Sequence, residues 1–471
     1  MSKPRVGLIT FGDPRDHEYN NFFKRYAEPK YFDGIEYFSS LPIDLVYGEK
    51  VACTIQDIDE QVDMLKKAGV ESYIAYNPCW SWPNMVVRSV IALDLPTVLV
   101  TNCDPGTHGT VGLLGIGGTL SQIGKPHIRI RADFGDKVFE EKMMPYLQAA
   151  QVASKLKGEI FGMFGGRSLG IDTGVHDPMQ WKAKFGIDTD HIDQLEIIRQ
   201  ADMIDEDRVE KMTKWLVESV SKVSYNEKLT SDKLKYQVRC YLATKDIIEQ
   251  RNLSFLSVKC MPDLTNNYVP QCLSAAFLPY SYDGEGPKKP IAMSCEADAD
   301  AALTMEMLKI ISGDAATMFA DVSHMAPEKN LLYLPNCGGM TAWFANRSDD
   351  PAENMKKIEL RPANRPAGGA STFMMAAPGE ITLARLYRVK GQYKMAIIPG
   401  EVITPDAETL DEFVKSRGSH QLPTAYVKVS FDFDEFVDEF GSNHIVGVGG
   451  IYEKELVSVC EMLDITPVVM K

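Results

Sequence analysis

The stretch IAMSCEADADAALTMEMLKIISGDAATMFAD, residues 291–321, predicts how the middle of the chain folds. Its apolar start at 291–294 is typical of a buried strand, AALTMEMLKIISG predicts a helix, and TMFA predicts a second strand. Glu296 follows the first strand, and Asp321, 25 residues later, ends the second. Two carboxylates, each at the end of a short buried strand, can converge on one point.

The same alternation of short apolar runs and helical patterns fills most of the chain before residue 320. RVGLITFG at 5–12, ESYIAYN at 71–77 and PTVLVTN at 96–102 predict parallel strands joined by helices. Beyond residue 320 the pattern favours antiparallel hairpins, with Gly391 at one turn. We therefore expect an α/β protein in which two doubly wound, Rossmann-like α/β domains precede a β-rich C-terminal domain.

Composition and charge exclude several classes of protein. Fifty Lys and Arg against 65 Asp and Glu give a net charge of −15, which argues against non-specific nucleic-acid binding. No apolar run reaches the roughly 20 residues of a membrane-spanning helix. The nine cysteines are scattered singly with no CxxC pair, which favours buried thiols in a reducing cytoplasm over disulfides or structural zinc. We expect a cytoplasmic protein that binds neither nucleic acid nor membrane.

A third side chain is needed to turn two carboxylates into a metal site. His444, in GSNHIVGVGG, lies between a helix-like segment and a glycine-rich strand of the C-terminal region. Two carboxylates and one imidazole suit a hard divalent ion such as Mn²⁺ or Mg²⁺ and leave coordination positions open for substrate hydroxyls. Asp298 and Asp300 have a simpler interpretation, because acidic residues before a helix complement its N-terminal dipole.

Two glycine-rich segments are candidates for ligand binding. GTHGTVGLLGIGGTL, residues 106–120, lacks the G-x-G-x-x-G fingerprint after the first strand, so a packed helix is favoured over a dinucleotide site. FGGRSLGIDTG, residues 164–174, follows a predicted strand. Its backbone amides, Arg167 and Ser168 would lie at a sheet edge, where such a loop can hold hydroxyls or an anion, although a structural turn remains an alternative.

The segment CEADADAALTMEMLKIISGDAATMFADVSH resembles the metal-binding core of the L-fucose isomerase family and, more distantly, of L-arabinose isomerases. In that family a Glu at a strand end and an Asp 24 or 25 residues later bind the metal, which here implies Glu296 and Asp321. The C-terminal His ligand falls on His444. GGRSLGI followed by Asp177 is similar to a family segment that lines the sugar pocket, and PGEITLARL is similar to a run in the β-rich domain.

The resemblance implies an enzyme of carbohydrate metabolism that interconverts an aldose and a ketose through a cis-enediol. It implies Mn²⁺, or Mg²⁺ or Co²⁺, as the cofactor, with Glu296 and Asp321 as both metal ligands and proton-handling residues. The implied sugar is L-fucose, D-arabinose, or another sugar that is unusual or anionic. The candidates for sugar binding are Arg15, Trp80, Trp82, Arg167, Ser168, Lys259 and Asn443. Arg15, Arg167 and Lys259 are also the residues that would favour an anionic sugar.

The resemblance also implies three domains and a homo-oligomer, specifically a hexamer. The expected domains are residues 1–155, residues 156–312 with Glu296, and residues 313–471 with Asp321 and His444. In this scheme an aromatic residue of the first domain, Trp80 or Trp82, reaches into the pocket of a neighbouring subunit.

Two features depart from the family pattern. The chain is more than a hundred residues shorter than the larger L-fucose isomerases, and Gly338 stands where arabinose isomerases have a second His ligand. Two other functions are open at this point. One is a sugar-binding or regulatory protein without turnover, and the other is a nicotinamide-dependent oxidoreductase.

Overall fold

A computed structural model describes residues 3–417 and 422–471. The chain divides into two compact units. Unit 1 contains the residues up to Lys155 together with Lys454–Asp464, and unit 2 contains Leu156–Glu453 and Ile465–Lys471. Within the described ranges, no helix has the length and apolar character needed to cross a membrane.

Unit 1 is built on a five-stranded parallel sheet in the order β2-β1-β3-β4-β5. The strands are β1 Arg5–Thr10, β2 Asp44–Tyr47, β3 Ser72–Tyr76, β4 Thr97–Thr101 and β5 His127–Arg131. The main helices are Lys24–Ser40, Ile55–Ala68, Pro83–Leu93, Gly109–Gln122, Met144–Lys155 and Glu453–Met462, with shorter helical segments at Asp16–Glu18, Tyr19–Phe23, Pro105–Thr107 and Phe139–Met143. Separate apolar clusters cover the two faces of the sheet, as a doubly wound fold requires.

The glycine-rich segment at residues 106–120 forms most of a packed helix. Four of the buried positions of helix Gly109–Gln122 are Gly112, Leu113, Ile116 and Gly117. A Cβ atom at Gly117 would overlap the guanidinium of Arg129, so this glycine is needed for close packing of helix and strand.

Unit 2 contains two large sheets and two small ones. Its strands are β6 Ile160–Phe164, β7 Asp188–Ile192, β8 Lys222–Val223, β9 Phe255–Val258, β10 Tyr282–Asp283, β11 Gly286–Pro287, β12 Met293–Cys295, β13 Thr317–Asp321, β14 His324–Ala326, β15 Leu331–Pro335, β16 Glu359–Pro362, β17 Ala370–Phe373, β18 Gly379–Val389, β19 Gln392–Val402, β20 Thr424–Lys428, β21 His444–Gly449 and β22 Thr466–Val469. Its helices include Pro178–Phe185, Leu195–Ala201, Glu206–Ser219, Ser231–Arg251, Asp263–Asn267, Cys272–Phe277, Ala299–Ile311, Pro351–Met355, Ala407–Arg417 and Phe433–Glu439.

The two large sheets of unit 2 differ in strand direction. One is parallel, in the order β12-β9-β6-β7. The other has the order β13-β21-β18-β19-β20-β15-β14 and is antiparallel, apart from β22, which pairs in parallel with β19. The β18–β19 hairpin turns at Lys390 and Gly391, both with positive φ, as a two-residue turn requires. The predicted fold class is confirmed, whereas the boundary at residue 312 stays a prediction.

Helix Ala299–Ile311, which we call the core helix, packs against strands of both large sheets. Every one of its residues is buried, including Glu306 and Lys309, whose side chains form an ion pair of 2.6 Å between Lys309 Nζ and Glu306 Oε2. Glu159 joins this pair from the start of β6. Burial, followed by repulsion from Glu306, raises the pKa of Glu159 to about 8. Its Oε2 atom makes no hydrogen bond within the described protein.

The raised pKa of Glu159 gives a testable pH dependence of stability. The unfolded chain loses this proton near pH 4.5 and the folded chain only near pH 8, so stability falls as the pH rises through that window. We expect Glu159→Gln to raise the free energy of unfolding by about 1–3 kcal/mol at pH 8, and by much less at pH 4.5. Urea unfolding at both pH values measures this. Glu249→Gln, an exposed site, is the control, and an equal effect of both variants would contradict the interpretation.

Candidate metal centre

Glu296 is the first residue after strand β12, at the carboxyl end of the parallel sheet. Both Glu296 and the following Ala297 have positive φ, 57° and 55°, a region that non-glycine residues enter at a cost of roughly 1–3 kcal/mol. This turn lets the chain leave β12 and start the core helix with Asp298 as its N-cap. Asp298 Oδ1 accepts a 2.9 Å hydrogen bond from the Ala301 amide.

Asp321 and His444 face each other across two neighbouring antiparallel strands. The register of β13 and β21 pairs Asp321 directly with His444. In such pairs the two Cβ atoms lie about 4.5–5.5 Å apart, which is within reach for a shared ion. The imidazole also packs on Phe319, with 4.6 Å between the ring centroids.

One potential ligand atom from each of Glu296, Asp321 and His444 lies within 4.8 Å of the other two. His444 Nε2 is 3.3 Å from Glu296 Oε2 and 3.5 Å from Asp321 Oδ1. His444 and Glu296 are buried, whereas the Asp321 side chain is about one-third exposed. The structure thus brings together the three residues that the sequence nominated as metal ligands.

The donor set fits a divalent ion. His444 Nε2 is buried yet makes no hydrogen bond of acceptable geometry, although two carboxylate oxygens lie nearby. A buried polar atom without a partner costs free energy, and coordination of a cation would satisfy it. Two carboxylates and one imidazole are ligands that Mn²⁺ accepts.

The other ring nitrogen of His444 is held by Asp298, with 2.7 Å between Nδ1 and Oδ2. Burial lowers the pKa of His444, but the contacts with Asp298, Asp321 and Glu296 outweigh it and raise that pKa well above its ordinary value. The cluster therefore favours positive charge at this point. Asp298 was expected only to complement the helix dipole. It does cap the core helix, but it also binds His444, and the sequence carries no local signal for that contact.

Comparison with known proteins gives a match at both ends of the chain. Residues 3–158 match the first N-terminal domain of L-fucose isomerase, and residues 334–471 match its C-terminal domain, together more than half of the chain. The chain belongs to the L-fucose isomerase family. Members of this family are aldose–ketose isomerases, and so is this enzyme.

Two kinds of relative cover most of this isomerase. The L-fucose isomerase of Vibrio vulnificus (strain YJ016) is 23% identical over 511 residues, spanning 90% of this chain and 86% of its own. The sulfoquinovose isomerase of Priestia aryabhattai is 20% identical over 365 residues, spanning 76% of this chain and 78% of its own. The L-fucose isomerase of Streptococcus pneumoniae (strain P1031) is 20% identical and spans 92% of this chain and 86% of its own.

The sugar-binding candidates of unit 2 already have ion-pair or hydrogen-bond partners within the protein. Arg167 and Lys259 each pair with a carboxylate, Asp172 at 2.5 Å and Asp263 at 2.8 Å. Ser168 is buried and donates its hydroxyl hydrogen bond to the Met261 carbonyl.

Asn443 is the candidate closest in sequence to the cluster. It immediately precedes His444, and its side-chain oxygen accepts a 3.4 Å hydrogen bond from the Thr173 hydroxyl. This contact connects the glycine-rich loop at residues 164–174 to the strand that carries His444.

The other candidates lie in unit 1. Arg15 pairs with the fully buried Asp13, with 2.6 Å between Nη2 and Oδ2. Trp80 is half-buried and Trp82 is exposed, so Trp82 offers the larger aromatic surface.

Gly338 has no room for a second histidine ligand. A Cβ atom there would overlap Cys272 Sγ, so any side chain would require repacking. This agrees with a centre of three protein ligands.

Because the turn at Glu296 and Ala297 is strained, substitution of Ala297 by glycine should affect stability less than a glycine substitution usually does. Ala297→Gly should leave the free energy of unfolding within about 0.5 kcal/mol of wild type, because relief of the positive φ offsets the lost buried methyl group. Ala302→Gly, in the interior of the core helix, should cost about 1–2 kcal/mol. Urea unfolding of both variants measures the difference. Equal losses would show that the positive φ of Ala297 carries no strain.

Proposed function

We propose that this protein is a divalent-metal-dependent isomerase that interconverts an open-chain aldose and its ketose through a cis-enediol. The observation that carries the proposal is the Glu296–Asp321–His444 cluster, in which the buried Nε2 atom of His444 has no hydrogen-bond partner among the described residues. Glu296, Asp321 and His444 would hold Mn²⁺, or Mg²⁺ or Co²⁺. When bound, the ion would supply Lewis acidity that stabilises negative charge on the substrate oxygens.

The two carboxylates would move the protons. One removes the proton from C2 of the aldose and returns it to C1, while the other carries the hydroxyl proton from O2 to O1. The C–H bond at C2 breaks and a new one forms at C1, so the product is the ketose and both carboxylates end in their starting state. His444 Nδ1 donates a hydrogen bond to Asp298, so Nε2 faces the cluster, where it would be a metal ligand.

The substrate we propose is L-fucose, D-arabinose or a sugar with an anionic substituent. Relatives named L-fucose isomerase and sulfoquinovose isomerase support both the neutral and the anionic choice. Arg15, Trp80, Trp82, Arg167, Ser168, Lys259 and Asn443 stay our candidates for sugar contacts. The hexamer, the cytoplasmic location and the division into three domains also stay predictions.

The first test is a substrate panel with chelator-stripped protein, with and without Mn²⁺. L-fucose, D-arabinose, L-arabinose and sulfoquinovose are supplied in parallel, and NMR follows ketose formation. We expect conversion of at least one sugar only when metal is present. Glu296→Gln should lower kcat by about 10²–10⁴-fold with the fold intact, because it removes a proton-transfer group. Glu328→Gln, at an exposed site in the same unit, should keep full activity.

The outcomes of the panel separate the alternatives. Near wild-type activity of Glu296→Gln with metal present would refute the site. Sugar binding without turnover of any of the four sugars would favour a non-catalytic sugar-binding protein.

A second experiment tests the enediol. When the sugar that turns over in the panel is incubated in D₂O, the carboxylate that holds the abstracted proton can exchange it with solvent. We expect deuterium at C1 of the ketose, detected by NMR or mass spectrometry. A product with no carbon-bound deuterium, even after many turnovers, would indicate direct hydride transfer between C2 and C1 instead.

A further inference from the structure

We propose that Arg385 and Asp298 are positioning residues of the metal centre. Arg385 holds the carboxylate of Asp298, and that carboxylate fixes the imidazole of His444 with Nε2 turned towards Glu296 and Asp321. The inference rests on the metal centre proposed above, but it concerns residues that are neither its proposed ligands nor among the candidates for sugar contacts.

Arg385 is an unusual residue for its position. It lies in the middle of β18 between apolar neighbours and is 0% exposed, although a buried guanidinium is costly unless charged and polar partners surround it. Its Nη1 atom is 2.8 Å from Asp298 Oδ2, and its Nη2 atom donates a 3.1 Å hydrogen bond to the Thr173 carbonyl. The planar fork thereby links β18 to the core helix and to the glycine-rich loop.

The loop approaches Asp298 closely. A Cβ atom at Gly174 would lie only 3.0 Å from the Asp298 Cα atom, so a larger residue would fit only if the backbone moved slightly apart. This close approach brings the Thr173 carbonyl within reach of Arg385.

Both oxygens of the Asp298 carboxylate are occupied, which prevents its rotation. Oδ1 accepts from the Ala301 amide, at 2.9 Å, and caps the core helix. Oδ2 accepts from Arg385 Nη1 and from His444 Nδ1, at 2.8 and 2.7 Å.

This arrangement leaves His444 one orientation. Nδ1 is committed to Asp298, one face of the ring packs on Phe319, and Nε2 lies between two carboxylate oxygens without a hydrogen bond of its own. A carboxylate that holds the second nitrogen of a histidine ligand sets its tautomer and increases its basicity. Loss of Arg385 would remove one of the two donors to Asp298 Oδ2, so the carboxylate would be free to shift and His444 would lose its fixed anchor.

The alternative is that Arg385 only neutralises a buried charge for stability. A second ion pair between the core helix and β18 allows this alternative to be tested. It joins Asp300 and Arg388, with 3.1 Å between Arg388 Nη2 and Asp300 Oδ2. Asp300 is also buried, and its other oxygen accepts a hydrogen bond from Tyr393. This pair stabilises the same interface but does not contact His444.

The experiment measures Mn²⁺ affinity, separately from activity. Isothermal titration of chelator-stripped full-length protein with Mn²⁺ compares wild type with Arg385→Gln, Arg385→Lys, Asp298→Asn and Arg388→Gln. Circular dichroism and the Tm report folding, and the electron paramagnetic resonance spectrum of bound Mn²⁺ reports the symmetry of its ligands.

We expect Arg385→Gln and Asp298→Asn to weaken Mn²⁺ binding by about 10–100-fold, as for other residues that support a metal ligand. Arg385→Lys should recover part of that loss, because it keeps the charge but not the fork. Arg388→Gln should lower the Tm while binding Mn²⁺ within about twofold of wild type.

Wild-type Mn²⁺ affinity and an unchanged spectrum in Arg385→Lys and Asp298→Asn would overturn the inference, even if Arg385→Gln failed to fold. An equal loss of affinity in Arg388→Gln would also overturn it, since general destabilisation would then explain the effect. Failure of the wild-type protein to bind Mn²⁺ would overturn the proposed metal centre and this inference with it. Binding by wild type and by every variant alike would overturn the inference alone.

Discussion

The hydrogen bond from His444 to Asp298 joins the two large sheets of unit 2 at the candidate centre. Asp298 follows the last strand of the parallel sheet, and His444 begins a strand of the antiparallel sheet. The core helix lies between the sheets and starts at Asp298, so its burial brings the two residues together. Neither sheet alone contains the complete cluster. Glu296 follows a strand of the parallel sheet, whereas Asp321 and His444 lie on strands of the antiparallel sheet.

Several buried charges lie where the core helix packs against the antiparallel sheet. Two Asp–Arg pairs connect the core helix to β18, and a Glu–Lys pair lies within the helix itself. Buried ion pairs are weak evidence for stability, because desolvation can cancel the attraction between the charges. A wholly apolar interface could pack equally well, so the ion pairs are better explained by the side chains that they hold in position. Of the two Asp–Arg pairs, only Asp298–Arg385 contacts a proposed metal ligand, so Asp300–Arg388 is a useful comparison.

The sequence predicted the architecture and the convergence of three residues well, for a physical reason. Strand and helix periodicity place Glu296 and Asp321 at strand ends, and the resemblance adds His444. The role of Arg385 was not predictable, because it depends on the pairing of β18 with β21 and on the packing of both against the core helix. The positive φ angles of Glu296 and Ala297 were also missed, since neither residue type favours them.

Because the cluster is assembled from distant segments, the proposed metal binding would be coupled to folding. Asp321 and His444 lie on two strands and Glu296 directly follows a third, so the unfolded chain cannot present the same ligand set. A ligand that binds only the folded state stabilises it by about 2.7 kcal/mol at a concentration 100 times its Kd. That gain is comparable with the roughly 1–3 kcal/mol cost of one strained residue. In the metal-loaded state that we propose, binding of the ion would offset the strain at Glu296.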